Sequence, residues 1–184
     1  KGKHLFERKE AIQSALRIGR LLFNKTHPDY SGMMVLNTVL GGYFGSRLMS
    51  NIREDKGYTY GIGSSVVSLS NAGYFFISSE VGTDVCSKAI DEIYFEMKRL
   101  REERVEETEL DLVRNYMLGA FLGDIDGPFH LASIFKGVMV YDLNYDYYDK
   151  YIHTIRTISA EELMQLANRY LSSTDMVEIV VGKK

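Results

Sequence analysis

The chain has 184 residues, 45% of them hydrophobic, which is enough to fill one core and too little for two independent ones. Its 25 acidic and 22 basic residues are mixed along the sequence and leave a net charge of −3, so no surface is built to neutralise a phosphate backbone and nucleic acid is not expected as a partner. A single cysteine, Cys86, excludes an internal disulfide and a cysteine-based metal cluster but leaves the compartment, cytoplasmic or periplasmic, undetermined.

No run approaches the ~18 consecutive apolar residues of a membrane span. The opening Lys1-Gly2-Lys3-His4 has neither an initiator Met nor an apolar signal core behind it, which suggests a segment excised from a longer chain. With only Pro28 and Pro128 and no Gly/Ser-rich linker, residues 1–184 are expected to form one continuous domain.

His4-Leu5-Phe6-Glu7 is expected to sit at a frayed start, and the stretch from Glu7 to Phe23 is ambiguous between helix and strand, with strand preferred. After the break at Lys25-Thr26-His27-Pro28-Asp29, MMVLNTVL predicts a helix closed by Gly41-Gly42 in the left-handed conformation. Ser46 is placed to cap a short helix from Arg47 to Asp55, stopped by Lys56-Gly57. The β-branched and aromatic runs YTYGIGSSVVSL and YFFISSEV, joined through Ser70-Asn71-Ala72-Gly73, predict a hairpin.

From Asp84 onward, Val85, Ala89, Ile93, Met97 and Leu100 form the apolar stripe of a longer helix. RLREERVEETE is its solvated end or a corner between helices. Leu110, Val113, Met117 and Leu118 mark a further helix up to GDIDGP, and LASIFKGVMVY another; a Tyr-rich stretch, NYDYYDKYIHTI, follows. Ser159 and Glu162 have the spacing of a capping box ahead of ELMQLANRYL, and MVEIVVG predicts a short buried strand. The order predicts an α+β sandwich: a mixed, mainly antiparallel sheet with helices on one face.

The residues with chemistry are few. His4, His27, His130 and His153 never pair with another ligand at helical spacing, whereas a hydrolytic metal site needs at least three protein ligands. No Gly-x-Ser-x-Gly elbow is present, and Cys86 falls on an amphipathic helix where packing is the simpler role. GGYFG could cradle an anion but matches neither common phosphate-binding glycine pattern, so a tight turn between helices is the plainer interpretation. Arg53, in the last turn of its predicted helix, stands near Tyr58 and Tyr60, two residues apart on one face of the next strand. A guanidinium and a phenol can both donate to a carbonyl or an oxyanion, although the same residues serve equally well as a helix-end cap or the partner of a nearby acid, and as ordinary half-buried strand tyrosines.

The segment LNTVLGG followed by FGSRLMSNIRE and KGYTYGI, with QSALRIG and PDY before it and NYMLG and ASIF after it, resembles the non-zinc domain of the pitrilysin/insulinase metallopeptidase family. The similarity runs in order over nearly the whole chain. It implies a C-terminal domain excised from a larger peptidase. It also implies a fold of paired domains around a chamber for unfolded peptides, and a zinc ion held by an inverted His-x-x-Glu-His motif in a sister domain or paralogous subunit; that motif is absent here. In the family an Arg and a Tyr seven residues later reach across to the zinc site, bind substrate carbonyls and help stabilise the oxyanion. That spacing selects Arg53 and Tyr60, with Tyr58 as the alternative. Two other roles remain compatible with the sequence: an inactive assembly subunit of the same fold, and a small-molecule or phosphate-binding module built on Gly41 to Ser46.

Overall fold

Ser14, Leu16 and Ile18 are buried while Gln13 and Arg17 face outward, and this two-residue period settles the ambiguous early stretch as a strand. The computed structural model describes residues 2–184, the Asp124 side chain excepted. Among the described residues there are five strands, β1 (Gly2–Glu7), β2 (Gln13–Leu22), β3 (Thr59–Leu69), β4 (Ala72–Gly82) and β5 (Val177–Gly182), in the spatial order β1-β5-β2-β4-β3. Only the β1–β5 pair is parallel; the other ladders are antiparallel.

Six α-helices accompany the sheet: α1 (Tyr30–Asn37), α2 (Cys86–Glu102), α3 (Glu107–Asp124), α4 (Pro128–Met139), α5 (Asp146–Thr157) and α6 (Ala160–Tyr170). The expected α+β architecture is therefore observed. Leu16, Ile18, Phe75, Ile77 and Val180 on the inner sheet face pack with Met33, Leu36, Ile93, Met97, Leu110, Val113 and Leu163 from the helices in one core. The stripe expected from Asp84 onward is that of α2, which starts at Cys86. Its charged end is the corner into α3, and the Tyr-rich stretch is α5. The capping box forms as its spacing requires, with the Glu162 N–H donating to the Ser159 hydroxyl at 3.2 Å and the Ser159 N–H to Glu162 Oε2 at 2.8 Å.

Three local expectations are corrected. Gly2–Glu7 is not frayed: it is β1, aligned in parallel beside β5. A six-residue edge strand whose Lys3 to Glu7 side chains are all exposed carries no alternation to betray it.

Gly41 and Gly42 do not end a helix in the left-handed conformation. Instead α1 widens into a π-type segment, Thr38–Gly42, and stops where Tyr43 turns extended. The glycine at 41 is there for close approach, since a Cβ would lie 2.7 Å from the Ser64 backbone nitrogen and 2.9 Å from Leu48 Cδ1.

Ser46, finally, caps nothing; its buried hydroxyl lacks a hydrogen-bond partner among the described residues. Cys86 is buried, and desolvation pushes its thiol pKa up, which suits packing rather than nucleophilic work.

Glu178 on β5 is 1% exposed, yet it is charged, because Lys184 and Lys3 converge on it. Burial alone would raise its pKa, but the hydrogen bond and charge of Lys184, then those of Lys3, override this and hold it below the usual 4.5. The folded carboxylate thus binds its proton less readily than the unfolded one. Its contribution to stability is complete above pH ~4.5 and is lost as pH falls through the depressed folded value. Acid unfolding curves should show that loss for the native chain, and Glu178→Gln should remove that part of the slope. An identical acid limb in both would contradict the assignment.

Candidate functional site

Arg53 lies in a second π-type helical segment, Met49–Asp55, whose Ile52 is fully buried while Arg53 keeps a side-chain exposure of 32%. Gly57 then turns the chain. It adopts φ +64°, its N–H donates to the Arg53 carbonyl at 3.2 Å, and the Tyr58 N–H donates to the Ile52 carbonyl at 3.0 Å. A Cβ at Gly57 would meet nothing within 4 Å, so Gly57→Ala tests backbone conformation alone. It should cost about 1 kcal/mol in urea unfolding. An unchanged midpoint would mean that the left-handed turn is not kept in solution.

β3 begins at Thr59 with a bulge: Thr59 opposes Val81 and Ile62 opposes Ser79, so Tyr60 and Gly61 stand against Glu80 alone, two residues against one. Side-chain hydroxyls satisfy the displaced backbone. Thr59 Oγ1 accepts from the Gly61 N–H at 3.1 Å and donates to the Glu80 carbonyl at 2.6 Å, and the Ser79 hydroxyl donates to the Gly61 carbonyl at 3.0 Å. The bulge changes the placement expected for the tyrosines. Tyr58 precedes the strand and is half-buried against the core, whereas Tyr60 stands 93% exposed. They do not alternate as two residues on one face of a regular strand.

All three nonetheless line one open hollow of about 560 Å³, together with Gln13, Gly82 and Asp84. The Arg53 guanidinium lies 4.8 Å from the centre of the Phe44 ring, and its Nη1 sits 3.0 Å from Glu54 Oε1 without completing a hydrogen bond. Phe44 packs against this cation and Glu54 pairs with it, and the contact with Phe44 is a role that sequence spacing did not indicate. Its one outward signal is a large apolar side chain left 67% exposed inside the Gly-Gly block. The neighbouring Gly41 is sealed against Ser64, so the glycine block serves packing rather than an anion cradle.

Among the described residues no group of three or more His, Cys, Asp or Glu side chains could hold a metal ion. His4, His27, His130 and His153 lie on β1, before α1, on α4 and on α5. The side chains present therefore do not fit a zinc site.

The model of the peptidase M16 inactive domain matches residues 1–117. This chain belongs to that family. The uncharacterized zinc protease YmxG of Bacillus subtilis is 29% identical over 118 residues, covering 64% of this chain and 29% of that protein. An uncharacterized zinc protease of Rickettsia bellii is 27% identical over 186 residues, covering 94% of this chain and 42% of its own. This M16 domain thus spans less than half the length of both curated relatives. The crystal structure of a peptidase M16 inactive domain from Pseudomonas fluorescens shares the fold with a TM-score of 0.91 at 22% identity, over 100% of this chain and 44% of that one. The resemblance carried by FGSRLMSNIRE and KGYTYGI is borne out at the level of family and fold.

Proposed function

We propose that this M16 domain is the substrate-binding, transition-state-assisting part of a zinc metalloendopeptidase, excised from a longer chain and completed by a sister zinc-bearing domain or a paralogous subunit. The observation that carries the proposal is the convergence of a solvent-facing phenol, Tyr60, and a partly exposed guanidinium, Arg53, on one open hollow. Both are hydrogen-bond donors: the Tyr60 hydroxyl points to solvent, and the Arg53 guanidinium, packed on Phe44 and ion-paired with the exposed Glu54, makes no side-chain hydrogen bond among the described residues. An unfolded peptide entering the hollow presents carbonyl oxygens to them. The carbonyl gains negative charge during cleavage, and donors already in place bind that charge more tightly than the ground state.

A second observation supports a covering partner. α4 is apolar nearly all round, yet of its residues only Val138 is buried, while Phe129 (87%), Met139 (61%) and Leu131 (53%) face outward. An apolar helix left uncovered marks a surface that another domain buries. The sister domain is the natural occupant, and the 184-residue chain alone should self-associate through this face. Sedimentation of the chain against the complete protein checks this; a clean monomer at high concentration would count against it.

The deciding experiment measures peptide hydrolysis and zinc content together for the complete protein carrying Arg53→Ala or Tyr60→Phe. Turnover should fall while zinc stays bound. Wild-type turnover in both variants would overturn the proposed role.

A further inference from the structure

A second hollow, about 320 Å³, opens where α4 and α5 meet the start of α1, and it shares no residue with the Arg53–Tyr60 hollow. Its walls are aromatic: Tyr30, Phe121, Tyr147, Tyr148 and Tyr151. These rings brace one another, with Phe121 and Tyr148 centroids 5.8 Å apart and Tyr147 stacked on Tyr151 at 6.3 Å. The Tyr148 hydroxyl is fixed by donating to the Ile134 carbonyl at 3.0 Å.

One cation stands among the lining residues. The Lys25 ammonium lies 4.9 Å from the Tyr141 ring centre and 5.8 Å from that of Tyr147, and no carboxylate among the described residues pairs with it. Its backbone is anchored, since the Lys25 N–H donates to Ser68 Oγ at 3.0 Å and Tyr141 donates to the Ser68 carbonyl at 2.8 Å. Burial lowers the Lys25 pKa and raises that of Tyr30 to about 12, as expected in a poorly solvated pocket.

Gly137 explains why the hollow stays open. It sits inside α4, where glycine weakens a helix, yet a Cβ there would reach 3.1 Å from the Tyr148 hydroxyl and 3.7 Å from Lys25 Nζ. Any larger side chain would enter the space between the ammonium and the rings.

A cation with no carboxylate partner among the described residues, at the edge of an aromatic pocket, selects an apolar body bearing a negative group. A lone lysine supplies one positive charge, which a singly charged carboxylate balances, whereas a phosphate monoester carries roughly −1.5 to −2 at neutral pH and would keep an uncompensated charge in the pocket. The volume is near the lower end of small-ligand sites, roughly 300–1,000 Å³, which suits one aromatic side chain with its carboxylate.

We propose that this hollow binds the carboxylate end of an aromatic or apolar ligand, with the ring among the tyrosines and the carboxylate on Lys25. Two sources share that chemistry, the carboxyl-terminal residue of a peptide and a free aromatic or aliphatic acid.

The test is calorimetric titration of the intact protein with N-acetyl-phenylalanine, its carboxamide, and a tetrapeptide ending in phenylalanine with a free or amidated terminus. The free acids should bind saturably and the amides at least about tenfold more weakly, because the charge-assisted contact is lost. Lys25→Met should abolish the difference between acid and amide, and Gly137→Leu should block all four probes. Arg53→Ala should bind the acids like the wild type, which separates this site from the peptidase role. Tighter binding of the tetrapeptide acid than of N-acetyl-phenylalanine assigns the site to peptide termini; equal binding assigns it to free acids. No saturable binding of either acid, equal binding of acid and amide, or undiminished binding in a folded Gly137→Leu variant would overturn the proposal.

Discussion

Arg53→Ala in the complete protein is expected to lower kcat for peptide cleavage by about 10²–10³-fold, the usual cost of removing one preorganised donor to an oxyanion. The loss should fall on kcat and kcat/KM alike, because the interaction strengthens as charge develops on the carbonyl rather than when the peptide first docks. Tyr60→Phe removes only an oxygen from a side chain that is 93% exposed, so the fold has nothing to lose and any drop in turnover belongs to the hydroxyl. Arg53→Ala sacrifices its contact with Phe44, worth about 0.5–1 kcal/mol at an exposed site, and the protein should remain folded. Tyr58→Phe separates the two tyrosines. Tyr58 is half-buried against the core, and its variant should keep turnover within a few-fold of wild type if Tyr60 is the functional residue. A large loss in Tyr58→Phe with none in Tyr60→Phe would transfer the role to Tyr58; loss in neither would remove the phenol from the mechanism. Zinc content, measured beside activity, distinguishes a lost donor from a lost metal.

Where the sequence was legible, the cause was periodicity that only one structure can bury. Ala89, Ile93, Met97 and Leu100 recur at helical spacing and all end in the core, and the Ser159–Glu162 pair satisfies its backbone donors by local chemistry that needs no distant partner. The family came from a contiguous block, and the glycine at 57 from its position after a helix. Other features depended on contacts remote in sequence. β1 exists because β5, some 175 residues later, offers it an edge, and nothing in Lys3-His4-Leu5-Phe6-Glu7 records that.

A glycine beside a helix most often marks a left-handed stop, whereas the glycine at 41 lets the helix end press on Ser64 of β3, a contact that local sequence does not record. Strict alternation puts Tyr60 on the same face as Tyr58, and the bulge between Thr59 and Ile62, pinned by the hydroxyls of Thr59 and Ser79, re-aims it. The candidate site was therefore legible as a set of residue types at a spacing. Its orientation was not, because Phe44, which holds the guanidinium, is known only once the chain has folded back on itself.

Glu109→Ala is expected to destabilise the protein by about 2–3 kcal/mol in urea unfolding, more than any exposed salt bridge would cost. The reason lies in its partner. Arg47 has a side-chain exposure of only 9% and meets Glu109 in a two-pronged contact, Nε to Oε1 at 2.9 Å and Nη2 to Oε2 at 2.8 Å. Its Nη1 is already buried without a hydrogen bond among the described residues, so the carboxylate is what offsets the desolvation of the guanidinium. Because Glu109 itself is 28% exposed, water can relieve part of the loss, which keeps the figure below that for a fully buried pair.

If an uncompensated charge is the cause, removing that charge should restore stability. Arg47→Met in the Glu109→Ala background should recover most of the deficit, although methionine forms no new polar contact. A double variant as unstable as the sum of the two single ones would show instead that each side chain contributes by packing alone. The pair also fastens the helical segment that begins at Arg47 to the first turn of α3, and Arg53 lies on that segment. Glu109→Ala should consequently lower peptide turnover through a displaced Arg53, and the Arg47→Met partner should not restore it, since stability returns with the charge removed while the tether stays broken.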